Sequence, residues 1–239
     1  IKPKISSTNK VREVAPHNYD LIAHPPSTYA QEKLKYGQRA KLAKTFISNN
    51  SLNEFFEGEI KEVGLIVQGG LYNNLISALK ELNISDSLGN SKISIYVLNI
   101  VHPLIPEEVI TYARKFKAVL IIEEGQPQYI EQELGLLFHK EKIEVSLIGK
   151  DVLPMAGEYT SEVIHKGVFN FIKQYIPNFS SFSNLDYNIE VDQLREKASS
   201  SLGEIVPPRP PGFCTGCPER PFFAALKMIE KDTGKIHVS

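Results

Sequence analysis

The sequence predicts an α/β fold: a doubly wound, mainly parallel sheet carried by residues 60–175. Three observations predict it. Four short apolar runs, at 63–67, 93–98, 118–122 and 143–148, each have the length of a strand. Between them lie stretches whose apolar residues recur every three or four positions, the spacing of one helix face. Strand and helix then alternate without a break, which calls for crossover helices over a parallel sheet.

The elements follow in order. Residues 1–27 are polar and punctuated by Pro16, Pro25 and Pro26, and read as an irregular lead-in. Thr28-Tyr-Ala-Gln31 has the form of a capping box, which predicts a helix from there to about Ser48. Its apolar residues Leu34, Leu42 and Phe46 make a thin stripe on a lysine-rich background, suited to a neighbour outside this stretch. Val63-Gly-Leu-Ile-Val67 is the first strand and ends in Gln68-Gly69-Gly70. Leu71, Leu75, Ala78, Leu79 and Leu82 mark the helix after it. Ile93-Ser-Ile-Tyr-Val-Leu98 is the second strand, and His102-Pro-Leu-Ile-Pro106 leads to a helix with Pro106 at its first position. Glu107 and Glu108 then sit at the positive end of its dipole. Ala118-Val-Leu-Ile-Ile122 is the third strand, Ile130, Leu134, Leu137 and Phe138 mark a helix, and Ile143-Glu-Val-Ser-Leu-Ile148 is the fourth strand. Gly157-Glu-Tyr-Thr160 opens a last amphipathic helix through Val163, Ile164, Val168, Phe171 and Ile172. Residues 176–206 read as a linker with a small helix around 191–199, and 218–231 as a final helix with Ala224, Ala225, Met228 and Ile229 inward.

Composition narrows the function. The chain has 239 residues, 27 basic and 28 acidic side chains and a formal charge of −1, so no global basic field recruits nucleic acid or an anionic membrane. No stretch approaches the roughly 20 apolar residues of a membrane span. The N-terminus carries no signal-peptide core, and two cysteines in one motif make no disulfide framework, which together predict a reducing, cytoplasmic setting. A start at Ile1 and a stop inside the strand-like 235–239 read as a piece of a longer polypeptide.

Four places invite a chemical reading. Gly69-Gly70 could cradle a phosphate at a helix N-terminus, or simply form a tight strand-to-helix turn; the G-x-G-x-x-G spacing is missing. Glu123-Glu124 ends a central strand, where open α/β sheets bind ligands. Adjacent strand residues point to opposite faces, so the two do not form an acid/base pair, and one is expected to cap the next helix or meet an interdomain partner. The six histidines, His17, His24, His102, His139, His165 and His237, show no ligand spacing, and His102 before Pro103 reads as a turn residue. Cys214 and Cys217, the only cysteines, lie in a proline- and glycine-rich loop that opens a helix. At Cys-x-x-Cys spacing they can hold one side of a metal centre, where zinc and iron–sulfur sites take four ligands. The alternative is a pair of inert thiols.

The stretch Arg209-Pro-Pro-Gly-Phe-Cys-Thr-Gly-Cys-Pro-Glu-Arg220 resembles the R-P-P-x-x-C-x-G-C-P-x-R signature of indolepyruvate (aryl-pyruvate) ferredoxin oxidoreductases. The likeness continues through Gly64-Leu-Ile-Val-Gln-Gly-Gly-Leu-Tyr72, Pro103-Leu-Ile-Pro106, Leu120-Ile-Ile-Glu-Glu124 and Leu153-Pro-Met-Ala-Gly-Glu-Tyr-Thr160. The resemblance implies an enzyme that oxidatively decarboxylates a 2-oxoacid with thiamine diphosphate and magnesium, releases an acyl-CoA and passes electrons through 4Fe–4S clusters to ferredoxin. It also implies an order of parts. Residues 1–50 would leave a pyrimidine-binding thiamine domain, 60–175 would form a module like the C-terminal domain of transketolase, and 176–206 would link it to 207–239, the opening of a pyrophosphate-binding thiamine domain. Cys214 and Cys217 would be half of a 4Fe–4S site, with the diphosphate loop and the other two cysteines outside this chain. On that reading this stretch holds no catalytic residue and is inactive alone. The rival readings are a non-catalytic α/β interaction module and a small-ligand or nucleotide-binding domain.

Overall fold

The computed structural model describes residues 18, 24–86, 88–179, 187–202, 217 and 219–235. They divide into two compact units, Ile1–Leu185 and Asp186–Ser239.

The first unit holds a five-stranded sheet. Its strands are β1 (Glu54–Phe56), β2 (Ile60–Gln68), β3 (Ile93–Leu98), β4 (Ala118–Ile122) and β5 (Ser146–Ile148), in the spatial order β1-β3-β2-β4-β5. β2, β3, β4 and β5 run parallel, and only β1 is antiparallel, along β3. The helices are α1 (Ser27–Leu34), α2 (Ala40–Asn49), α3 (Tyr72–Glu81), α4 (Pro106–Ala113), α5 (Tyr129–Lys140) and α6 (Ser161–Tyr175). Strand alternation sorts the side chains between two layers. Val63, Leu65, Val67, Ile95, Leu120 and Ile122 pack under α3 and α6. Ile66, Tyr96, Leu98, Val119 and Ile121 pack under α4 and α5. The sheet is therefore doubly wound and mainly parallel, as the sequence predicts, and its central strands read as unbroken apolar runs because both faces are covered.

Local chemistry explains the departures. α4 begins with Pro106 and carries Glu107 and Glu108 in its first turn, as expected. The capping box does not start at Thr28: the helix begins one residue earlier, and Pro26, which has no side-chain acceptor, stands at its N-cap. Between α1 and α2 the chain widens into a π-turn over Lys35–Arg39. β1 is absent from the sequence reading, because three residues within a charged stretch carry no periodic signal. The expected strand 143–148 shortens to Ser146–Ile148, because the Ile143 N–H bonds the Phe138 carbonyl at 2.9 Å and closes the end of α5.

Gly64 shows how β2 is held in register. Ile60 pairs with Ile93 and Gly64 with Ser94, so the three residues between Ile60 and Gly64 bulge out of the ladder. Tyr112 of α4 fills the break: its hydroxyl accepts from the Leu65 N–H at 2.9 Å and lies 2.7 and 2.8 Å from the carbonyls of Ser94 and Leu65. A Cβ on Gly64 would stand 2.7 Å from the Phe116 ring and 2.8 Å from that hydroxyl. Only glycine lets α4 approach this closely.

Among its described residues the second unit shows two helices, α7 (Tyr187–Leu202) and α8 (Arg220–Thr233). α7 is longer than the small helix expected at 191–199. α8 occupies the place predicted for it, but none of its residues is buried.

Candidate functional site

The strand order reverses direction at β2: α3 carries the chain to β3 on one side, and β4 lies on the other. In open α/β sheets the crevice beyond the carboxyl ends of the strands at such a point is the usual ligand site. Here it is a hollow of about 590 Å³, with Gln68 from the end of β2, Glu123 and Glu124 from the end of β4, His102, Tyr129 and Glu133 around it.

The two carboxylates do part to different neighbours. Glu123 is buried, and its two oxygens accept from the N–H groups of Ile130 and Glu131 at 2.9 and 3.0 Å. It therefore caps α5, placing negative charge at the positive end of the helix. Glu124 accepts from the Tyr159 N–H, while its own N–H donates to the Gln68 side chain at 2.8 Å. A third carboxylate, Glu131, accepts from the Lys150 N–H at 3.0 Å, and a Cβ on Gly149 would collide with it.

Lys150 and Tyr159 fasten the loop that runs from β5 to α6. The Lys150 ammonium donates to the Glu123 carbonyl and to the Tyr159 hydroxyl, each at 2.6 Å. The Tyr159 hydroxyl in turn donates to the Pro154 carbonyl. Burial lowers the Lys150 pKa, opposed by the charges of Glu123, Glu131 and Glu124. Burial, and after it the same three carboxylates, pushes the Tyr159 phenol up to about 12. Glu131 and Glu124 accept from the Lys150 and Tyr159 N–H groups and the Lys150 ammonium reaches the Glu123 carbonyl, so the cluster has the geometry of a clamp that closes the 149–160 loop over the sheet. Sequence reasoning missed Lys150 and Tyr159. Tyr159 lies in the Leu153–Thr160 stretch that carries the family resemblance, but its pairing with Lys150 leaves no mark in the sequence.

The remaining candidates are dispersed. Gly69 and Gly70 form a short 3₁₀ turn before α3. A Cβ on Gly69 would meet the Asn99 side chain at 2.6 Å, which gives that glycine a packing reason, whereas Gly70 faces open space. His102 is exposed and lies 3.9 Å from Glu133. His24 is also exposed and His165 is buried in α6, while His17 and His237 lie outside the described residues. Among the described residues no three His, Cys, Asp or Glu side chains gather as metal ligands. Cys214 lies outside the described residues. Cys217 is a half-buried free thiol, and its carbonyl accepts from the N–H of Arg220, the first residue of α8. Thiol donors at this spacing fit an iron–sulfur cluster in kind, and two of them supply half of its four protein ligands. None of the described helices is long and apolar enough to cross a membrane.

No protein-family model matches the chain. It is 28% identical over 180 residues to indolepyruvate oxidoreductase subunit IorA of Pyrococcus abyssi, covering 75% of this chain and 25% of that protein. With the Thermococcus kodakarensis protein of the same name the identity is 29% over 181 residues, at the same coverage. With that of Methanothermobacter marburgensis it is 24% over 205 residues, covering 85% of this chain and 28% of the relative. The chain thus spans about a quarter of the length of the curated relatives it matches. Among solved structures, a split-gene transketolase inactive β4 tetramer aligns with a TM-score of 0.38 and 19% identity over 52% of this chain and 42% of its own. A 2-oxoglutarate:ferredoxin oxidoreductase from Magnetococcus marinus aligns with a TM-score of 0.38 and 17% identity over 63% of this chain and 24% of its own. The resemblance to the indolepyruvate oxidoreductase family that the sequence carries is borne out over most of the chain.

Proposed function

We propose that this chain is part of a thiamine-diphosphate-dependent, iron–sulfur 2-oxoacid:ferredoxin oxidoreductase that converts an aryl-pyruvate such as indolepyruvate to its acyl-CoA in the cytoplasm. The similarity to the IorA proteins over three quarters of the chain carries the reading. The Arg209–Arg220 signature supports it independently of overall identity. In this assignment residues 1–50 leave the pyrimidine-binding domain, 60–175 are the transketolase-C-like module, 176–206 are the linker and 207–239 open the pyrophosphate-binding domain. Thiamine diphosphate with magnesium, held by residues outside this chain, supplies the decarboxylation chemistry, and 4Fe–4S clusters carry the electrons to ferredoxin. Cys214 and Cys217 contribute two thiolates to one such cluster. The α/β module positions: its clamp of Glu123, Glu124, Lys150 and Tyr159 fixes the loop at the carboxyl edge of the sheet.

In the intact enzyme, Cys214→Ala abolishes ferredoxin reduction and lowers cluster absorbance, while the α/β module stays folded. Full cluster absorbance with full ferredoxin reduction in that variant overturns the ligand assignment. The 239-residue chain alone gives background rates with indolepyruvate, CoA and an electron acceptor; specific turnover would mean that the catalytic groups lie within it. A second reading, an interaction module without catalysis, is favoured by the engagement of Glu123, Glu124 and Glu131 with backbone groups. Titration calorimetry with CoA, ATP and NAD separates both readings from a ligand-binding domain, which alone gives heat above dilution.

A further inference from the structure

The segment from Ser27 to Asn49 is an arm rather than a packed layer. Over α1, the π-turn and α2 only Ile47, in the last turn, is buried. Leu34, Leu42 and Phe46 are 44%, 60% and 62% exposed. The arm carries Lys33, Lys35, Arg39, Lys41 and Lys44 against the single acid Glu32. Removing those six from the chain's 27 basic and 28 acidic side chains leaves 22 against 27, so the rest of the molecule is acidic. Among the described residues none of the five cations makes an ion pair.

The complementary surface is on the same unit. Beside the edge strand β1 lies an open hollow of about 410 Å³ walled by Phe55, Glu107, Glu108, Thr111, Tyr112 and Lys115. Phe55 is 46% exposed and stacks on Tyr96 at 4.3 Å, which fixes an apolar floor. Lys115 is already paired with Glu57 at 3.4 Å, and Glu108 accepts from the Tyr96 hydroxyl at 2.8 Å and the Asn53 amide at 3.1 Å, so the exposed Glu107, with the charge of Glu108 behind it, leaves the hollow acidic.

We propose that two copies of this chain exchange arms, each laying its basic, Leu34–Leu42–Phe46 helix into the acidic Phe55 hollow of the other. One unit carries both patches, so a single two-fold axis satisfies both and the assembly closes as a dimer. Three apolar side chains over thirteen residues give a stripe too narrow for a bilayer surface, and the charge it needs is present on the second copy.

Sedimentation velocity of the 239-residue chain tests the exchange. At about 0.05 M salt the expected mass is twice 26.8 kDa, and the dimer weakens at least about tenfold on going to about 0.5 M. Lys35→Glu with Arg39→Glu gives monomers, as does Glu107→Lys with Thr111→Lys, and an equimolar mixture of the two variants regains the dimer. A monomeric wild-type chain, a dimer indifferent to both pairs, or a mixture that stays monomeric overturns the proposal. So does binding to phosphatidylserine vesicles that Lys35→Glu with Arg39→Glu removes while the wild-type chain sediments as a monomer.

Discussion

α6 and α8 are close in length and both amphipathic, yet their fates differ. α6 buries Ile164, His165, Gly167, Val168, Phe171 and Ile172, whereas α8, with Phe222, Met228 and Ile229 on its surface, buries nothing. The difference is not propensity. α6 closes over a sheet whose own residues supply the opposing apolar face, and α8 has no such layer among the described residues of its unit. An apolar stripe specifies that a helix is to be covered, not by what, and most helical stability comes from that cover.

Paired substitutions break or sharpen the contrast. Phe171→Ala should cost about 3–5 kcal/mol in urea unfolding of the chain, while Phe222→Ala should stay within about 0.5 kcal/mol. Equal losses would mean that α8 is packed in solution and that the contrast fails. Within the first unit, the β2 bulge should be nearly as sensitive as the core. Gly64→Val drives a side chain into Phe116 and Tyr112 and should cost about 1–3 kcal/mol. Tyr112→Phe leaves the Leu65 N–H and the Ser94 carbonyl without the hydroxyl, and should cost a similar amount through buried unpaired groups. The clamp should matter less: Lys150→Met should lower stability by about 1–2 kcal/mol and raise hydrogen exchange in residues 150–160 first.

Alkali should weaken the first unit. The Tyr159 phenol, pushed up to about 12 in the folded chain, keeps a proton that the unfolded chain loses near its ordinary value of 10.0. The stability this group contributes is complete below pH 10 and lost as pH rises towards 12. Lys150 acts in the opposite sense below its ordinary value of 10.5, because its folded pKa is lowered and the unfolded chain holds the extra proton. Tyr72, Tyr96 and Tyr112 are all raised by burial, so the tyrosine direction prevails. The urea midpoint should fall between pH 10 and 12, and Tyr159→Phe should flatten that fall. A midpoint that rises across the window would contradict the buried-phenol account.

The sequence makes the parallel body legible because its strands are buried on both faces and its helices repeat every three or four residues. What it hides depends on distant partners. β1 is three residues long and exists because Val97, Tyr96 and Ile95 offer it an edge. The β2 bulge depends on Tyr112, 47 residues away. At the candidate site, the parting of the two glutamates at the end of β4 was legible, since opposite facing is a property of strands, whereas which of them caps α5 was not. The Lys150–Tyr159 fastening was not, since nothing in the sequence marks which loop folds back over the edge. The Cys-x-x-Cys motif is the reverse case: plain in sequence, with only Cys217 among the described residues.

Gly64, Tyr112 and Phe116 also constrain how this sequence can drift. The three share one small volume, with no space for a Cβ between the strand and the two rings. A larger residue at 64 is tolerable only if Phe116 shrinks and the Tyr112 hydroxyl is lost in the same lineage, and losing that hydroxyl favours removal of the three-residue insertion that it plugs. The three positions should therefore change together or not at all, and a set of diverged homologues should show glycine at 64 wherever tyrosine stands at 112.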